Sequence, residues 1–251
     1  MLGEALAIGS LMLFGANVFV VGAASRRVPQ DVGFLLGLAS NVGLASLVVL
    51  GQYFVAGRSM APPEWDALGF FALGGLLTSY IGRWFFFRSV HTIGATRASA
   101  LQVTNPVFAA LAAWLLLGEA LPPSAILAGG AVLLGLYLTS RPAGRPAEAA
   151  VPGGRSLPPL EVWLALLGAL AYGLGNVARG TGVRDWAAPV VGSLVGAAAG
   201  LLLHAVVSSR RGDVVAPLRG VDPVGGRLWL LSGALTISAQ TCLIAASLYV
   251  P

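Results

Sequence analysis

The chain has 251 residues, 57% of them hydrophobic and 10% charged, with a mean hydropathy of +0.83 and a net charge of +5. A soluble domain carries about 25% charged residues, so this chain cannot cover a water-facing surface and reads as an all-α integral membrane protein. Its 15 basic residues are all arginines, scattered rather than gathered into a patch. That excludes nucleic acid as an expected partner and suits loop anchors facing an anionic bilayer.

A membrane-crossing helix needs about 20 apolar residues. Eight segments qualify: 4–24, 32–55, 67–89, 94–117, 123–140, 160–180, 188–208 and 227–249. The first is not a signal peptide, because Glu4 stands where a basic region belongs and the apolar run is too long. Ser10 and Asn17 share one of its faces. In the second span Asn41 stands alone and is read as structural, and Gly33 and Gly37 form a short small-residue pair.

The third span places Ser79, Tyr80 and Arg83 on one face at 100° per residue. An arginine facing lipid at mid-depth costs about 2.5–3.5 kcal/mol on insertion scales. Arg83 is therefore expected to face the bundle interior as a counter-charge for an anionic or zwitterionic solute; the alternative is that it snorkels to the near interface. Arg88, His91 and Arg97 are expected as interfacial anchors.

The fourth span reads RASALQVTNPVFAALAAWLLLGE over 97–119. One stripe carries Val103, Val107, Leu111 and Trp114 and suits lipid. The other carries Ala98, Gln102, Asn105, Ala109 and Ala112 and suits a helix neighbour or a watery cavity. Pro106 removes one backbone hydrogen bond and should loosen the turn before it. Gly118 permits a helix C-cap, and Glu119 with Pro122 and Pro123 opens the fifth span.

Residues 141–159, RPAGRPAEAAVPGGRSLPP, read as an aqueous linker. In the sixth span Tyr172, Asn176 and Arg179 share a face. The seventh carries Gly192, Gly196 and Gly200, a packing stripe, and a lone His204 read as structural. In the eighth, Thr236, Gln240 and Ser247 share one face; Ser238, Thr241 and Cys242 share another. Cys242 excludes an internal disulfide and is read as a small core residue.

Two short phrases recur across the linker. GANV with Asn17 returns as GLGNV with Asn176, an offset of 159 from position 17 to position 176; GLLTS from Gly75 returns as GALTI from Gly233, an offset of 158 from 75 to 233. A shared offset implies a duplicated unit. Five spans per unit is an odd number, so the second copy would be inverted. The expected organisation is a first unit at 1–140, the linker at 141–159 and a second unit at 160–251.

No HExxH, GxSxG, CxxC pair or P-loop is present, and the two histidines and one cysteine lie far apart. The sequence points to no enzyme, no cofactor and no metal site. The carboxylates cluster at span ends, so no proton relay is evident.

GATRASALQVTNPVFAALAAWLLLGEAL followed by GGAVLLGLYL resembles the signature of the EamA-type drug/metabolite transporter superfamily, and FGANVFVVGAA resembles its opening helix. The positions that carry the resemblance are Ala98 to Ala100, Pro106, Ala109 to Ala113, and Leu117, Gly118 and Glu119. The resemblance implies ten helices in a 5+5 inverted-repeat transporter fold around a central cavity. It implies carriage of small metabolites, amino-acid-like solutes or drugs, as an exporter working by alternating access in a bacterial cell (plasma or inner) membrane.

Against that plan the second unit has three spans of five. The chain is expected to be part of a longer reading frame, or else an eight-span protein completed by a second copy as a homodimer. Loop arginines after spans one, five and seven put the N-terminus outside by the positive-inside rule, whereas the resemblance implies the reverse. The residues expected to line the cavity are Arg83, Tyr80, Ser79, Gln102, Asn105, Asn17, Asn176 and Gln240. Two rival expectations are a flippase for lipids or lipid-linked sugars, and a non-transporting membrane scaffold.

Overall fold

The computed structural model describes residues 2–55, 57, 62–140, 159–209 and 220–249. Most of the 141–159 linker, Arg58, and the arginines at 210, 211 and 219 lie outside the described residues. The fold is all-helical: α1 (Leu2–Ala24), α2 (Gln30–Leu50), α3 (Trp65–Gly75), α4 (Arg83–Ile93), α5 (Ala95–Gln102), α6 (Asn105–Leu117), α7 (Pro123–Ser140), α8 (Pro159–Asp185), α9 (Pro189–Ser209) and α10 (Pro223–Ala246). A π-helical turn, Gly51–Val55, extends α2, and another, Leu76–Gly82, joins α3 to α4 without a loop. Among the described residues, seven helical spans are long and apolar enough to cross a membrane, and Pro123–Leu136 is a shorter apolar helix.

Two differences from the sequence reading have local causes. The fourth span is two helices, α5 and α6, parted at Val103 and Thr104. Pro106 has no N–H to give the Gln102 carbonyl, so the ladder stops there; Val103 and Thr104 close tighter turns, to Ala100 O (3.2 Å) and Leu101 O (3.1 Å). The third span changes helical type midway. A 100° wheel does not hold over Leu76–Gly82, because π turns bond i to i+5 and shift the phase.

The chain forms two compact units. The first comprises Met1–Tyr80 with Ala178–Pro251. In it α10 packs on α1, α2 and α9, while α3 packs on α9 and α9 on α2. Its core gathers Ala67, Phe71, Val183, Trp186 and Ile244 in one cluster, and Ala45, Ala197 and Ile237 in another. The outer face of α1 carries exposed Leu11, Met12 and Phe19, side chains suited to lipid.

Glycine sets how closely these helices approach. A Cβ on Gly75 would fall on the Gly196 backbone, and one on Gly192 would fall within the Phe71 ring. On the other pair of helices, a Cβ on Gly233 would lie 2.6 Å from Gly37 O, and one on Gly33 would fall within the Trp229 ring. The two sets are images of each other. Gly33 and Gly192 are 159 positions apart, as are Gly37 and Gly196; Phe71 and Trp229 are 158 apart, as are Gly75 and Gly233. Thus α3 meets α9 through the same four positions by which α10 meets α2.

The second unit, Ile81–Val177, holds α4 to α7 and most of α8. Ile93, Ala98 and Ala165 form its buried cluster. Gly94 (φ +85°) turns the chain between α4 and α5, and Gly118 (φ +66°) ends α6 in the left-handed region, where a side chain would be strained. On the α5–α6 span, Val103, Leu111 and Trp114 are exposed while Ala98 and Ala112 are buried.

Candidate functional site

In the first unit α10 presents a ladder of polar side chains inside the bundle. Thr236 and Gln240, one turn apart, are both buried. Thr236 Oγ1 accepts from Asn17 Nδ2 of α1 at 3.1 Å. Gln240 Oε1 accepts from Arg179 Nη2 of α8 at 3.5 Å, and Ser79 Oγ accepts from the same nitrogen at 3.3 Å. Arg179 is 3% exposed. Gly196 makes room for it, since a Cβ there would lie 3.2 Å from Nη2. One guanidinium therefore ties α8 to the middle of the π turn after α3 and to α10.

The remaining polar groups of this unit hold helices together. Ser40 Oγ donates to Leu230 O at 2.8 Å, and Thr241 Oγ1 lies 2.9 Å from both Ser193 Oγ and Ile237 O. Asn41, expected to stand alone, is fully buried between α2 and α10; with its amide nitrogen turned inward it donates to Gly37 O and Gly233 O. His204 is not alone either. Its ring lies edge-on to Phe34 (centroids 5.1 Å, interplanar 69°) and tilted against Tyr80 (6.0 Å), and Phe34 and Tyr80 are 5.8 Å apart. Tyr80 thus belongs to an aromatic triangle. Outside the bundle, Asp222 caps α10 through Gly225 N (2.8 Å) and meets Arg27 at 3.5 Å. Both side chains of that ion pair are substantially exposed, so it contributes little.

In the second unit the break between α5 and α6 gathers the sequence's polar candidates. Gln102 ends α5; both its side-chain oxygen and nitrogen are shielded from solvent and have no hydrogen-bond partner in the protein. Gly168 of α8 faces it, a Cβ there lying 3.4 Å from Gln102 Oε1. Asn105 begins α6, and Gly173 of α8 packs against it, with a Cβ position 2.9 Å from Asn105 O and 2.8 Å from Ala109 N. Pro106 occupies the first turn, where a missing N–H costs nothing. Thr104 Oγ1 donates to Leu101 O at 2.7 Å, quieting one carbonyl beside the break. Asn176 and Arg83 are half-buried in this unit, as is Glu119 after the Gly118 cap; Arg88 and Arg97 are exposed.

The sequence reading ranked Arg83 above Arg179. Two arginines inside spans look alike on a wheel. The signal that separates them is Gly196 on α9, four residues from Phe71's partner Gly192, which leaves space for the Arg179 guanidinium. His204 was passed over because its partners come from two other helices, Phe34 and Tyr80, at no regular spacing.

The model of the EamA-like transporter family matches residues 1–141, more than half of the chain. Among curated proteins, none matches it.

Proposed function

The chain belongs to the EamA-like transporter family, a multi-pass membrane transporter of the drug/metabolite transporter superfamily, and on that premise we propose that it carries small polar or amphipathic metabolites outward across the cell membrane by alternating access. Amino-acid-like solutes and drugs are the classes that fit.

Gln102 carries this reading. Inside a membrane span an amide without a protein partner is costly, because lipid offers it none. It is tolerated where a solute or cavity water supplies the missing bonds. Its place, at the end of a half-helix beside a proline break, is where transporter folds build their binding sites. Asn105 offers a second amide across the break, and Pro106 keeps the break open. Arg83, half-buried in the same unit, supplies the counter-charge for an anionic or zwitterionic solute; Asn176 adds a further polar group. Within the first unit, Ser79, Tyr80, Asn17 and Gln240 are the side chains we assign to solute contact, with Gly192, Gly196 and Gly200 setting the packing of α9; in the second unit Gly118 and Glu119 shape the end of α6.

The organisation proposed is a repeat at 1–140, a linker at 141–159 and a second repeat from 160. What supports it is the reciprocal glycine packing, in which α3 meets α9 as α10 meets α2 at constant offset. Two images of one contact give alternating access its symmetry: the seam that opens on one side has a counterpart that closes on the other.

The test uses the chain in proteoliposomes and follows counterflow of radiolabelled neutral, acidic and basic amino acids and of a lipophilic cationic dye. The wild type should carry at least one class. Losing a hydrogen bond of about 1.4 kcal/mol to the solute, Gln102→Leu should lower that flux about tenfold. Unchanged flux of every carried class in both Gln102→Leu and Asn105→Leu would defeat the reading. Movement of a fluorescent lipid alone would replace it with a flippase.

A further inference from the structure

Arg179 is permanently charged; the first unit also holds His204, an imidazole whose charge can change near neutral pH, and the fold places it at a seam. His204 lies inside the α9 span, one turn from its end at Ser209 and one turn beyond Gly200. Gly196, Gly200 and His204 follow each other at four-residue spacing on one face of α9. Gly196 rests on Gly75 and leaves room for Arg179; Gly200 rests on Ser79, with a Cβ position 3.1 Å from Ser79 Cβ; His204 rests on Tyr80 and Phe34. The α3–α9 seam thus runs from a backbone contact between two glycines to a closed triangle of rings.

We propose that His204 is a proton-binding site coupled to the opening of this seam, so that the solute movement proposed above is linked to a proton; the inference rests on that reading for its use, not for its test. A neutral imidazole suits its setting. It fits edge-on against Phe34 and shares a weak contact with Ser208, whose Oγ lies 3.4 Å from Nε2. Taking up a proton from water at the α9 end converts it to a cation with both ring nitrogens as donors. That cation shares the seam with the buried Arg179 guanidinium, which donates to Ser79, the residue before Tyr80 and the one on which Gly200 packs. Eight residues of α9 separate Gly196, beside Arg179, from His204, about 12 Å of helix rise. Repulsion between the two charges opposes the closed seam, and the closed rings keep water from the cation.

The other ionisable groups facing this region are named from each packed element. Tyr80, after α3, is in ring contact with the imidazole. Asp31 on α2, one turn before Phe34, is exposed; Arg227 in the first turn of α10 is exposed; Asp222 and Arg27 pair with each other near the surface. The α3 side of the seam is able to move because Tyr80 lies in the π-helical turn, a local irregularity that shifts register more readily than an α-helix. The sign is fixed: the neutral form favours the closed seam, so acid favours the open one. Release of the proton returns the imidazole to its neutral form and lets the seam close again.

Hydrogen exchange of the intact chain in phosphatidylcholine–phosphatidylglycerol nanodiscs tests this. Exchange in peptides covering 75–82 and 196–208 is compared between about pH 7.5 and about pH 5.5, corrected for the intrinsic chemistry of exchange. The wild type and His91→Gln should open up to about tenfold more at the acid value, the factor for two unit charges about 12 Å apart at an effective dielectric near 20. His204→Phe, which keeps a ring in the triangle and removes the proton site, should lose the response while the protein stays folded; His204→Gln should lose it too. An acid response that survives in both His204 variants, or a wild type without one, overturns the inference. A chain that carries solute in liposomes yet shows no acid response at these peptides loses the proton site and keeps the transport reading.

Discussion

The two units spend their polar groups differently. In the first, Asn17, Ser79, Arg179, Thr236 and Gln240 bond one another across four elements, and glycine seams bring backbones into contact. In the second, the Gln102 amide is enclosed and unbonded beside a helix break, and a Cβ on Gly130 or Gly135 of α7 would meet open space. Polar residues in a bilayer serve either as glue between helices or as a site for something that is not helix. The bonded groups of the first unit do the former; the proposal above gives the enclosed Gln102 amide of the second unit the latter role. Substitutions of the bonded groups in the first unit should therefore cost stability, whereas at Gln102 in the second unit they should cost function without costing stability.

The largest expected effect lies at the glycine seam. Gly75→Ala places a methyl on the Gly196 backbone, which no rotamer can relieve. Overpacking of this kind typically costs about 1–3 kcal/mol and here should exceed that range, read as a fall in melting temperature and yield in detergent. Gly130→Ala on α7, where nothing lies within 4 Å, should instead be neutral or slightly stabilising, since alanine favours a helix over glycine by about 1 kcal/mol. Equal losses at both positions would erase the contrast.

The Arg179 tie comes next. Gln240→Leu leaves the buried guanidinium with one acceptor fewer and should cost about 1–3 kcal/mol. Arg179→Met removes the charge and its desolvation together and should cost less than Gln240→Leu, by the general behaviour of buried charges. Thermal unfolding of the two variants side by side checks the order; the reverse order would make the charge itself the main stabiliser.

Gln102→Leu should behave in the opposite sense. Replacing an unbonded enclosed amide by an apolar side chain of similar size should leave stability unchanged or raise it by about 1 kcal/mol, while solute flux falls. The smallest effect belongs to Asn17→Ala. A single interhelical hydrogen bond in a membrane averages about 0.6 kcal/mol, so its loss to Thr236 should shift the melting temperature only slightly.

Much of this architecture was legible in the sequence. Lipid demands long apolar helices, so the spans could be bounded to within a few residues. Pro106 announced the break, although its extent, two residues with α5 ending at Gln102, depended on where tighter turns closed. The offset between GLLTS and GALTI anticipated a recurring packing contact. What could not be read was depth. Arg83 and Arg179 each sit inside a span, and nothing along their own helices says which is enclosed; that is decided by Gly196 on α9 and Gln240 on α10. The π-helical turn was equally hidden, since Leu76–Gly82 has no proline and no unusual composition, and it shifted the face that carries Ser79 and Tyr80. His204 looked solitary because ring contacts with Phe34 and Tyr80 leave no periodic mark.

The central claim is that the α5–α6 break faces a water-filled solute path. The most direct measurement is labelling by a membrane-impermeant maleimide, in a Cys242→Ser background, of single cysteines at Gln102, Val103 and Asn105. Val103 is 53% exposed and sits on the lipid stripe. The account predicts labelling at positions 102 and 105, slowed by a carried solute, and none at 103. Labelling at 103 alone, or at none of the three in a folded protein, would contradict it.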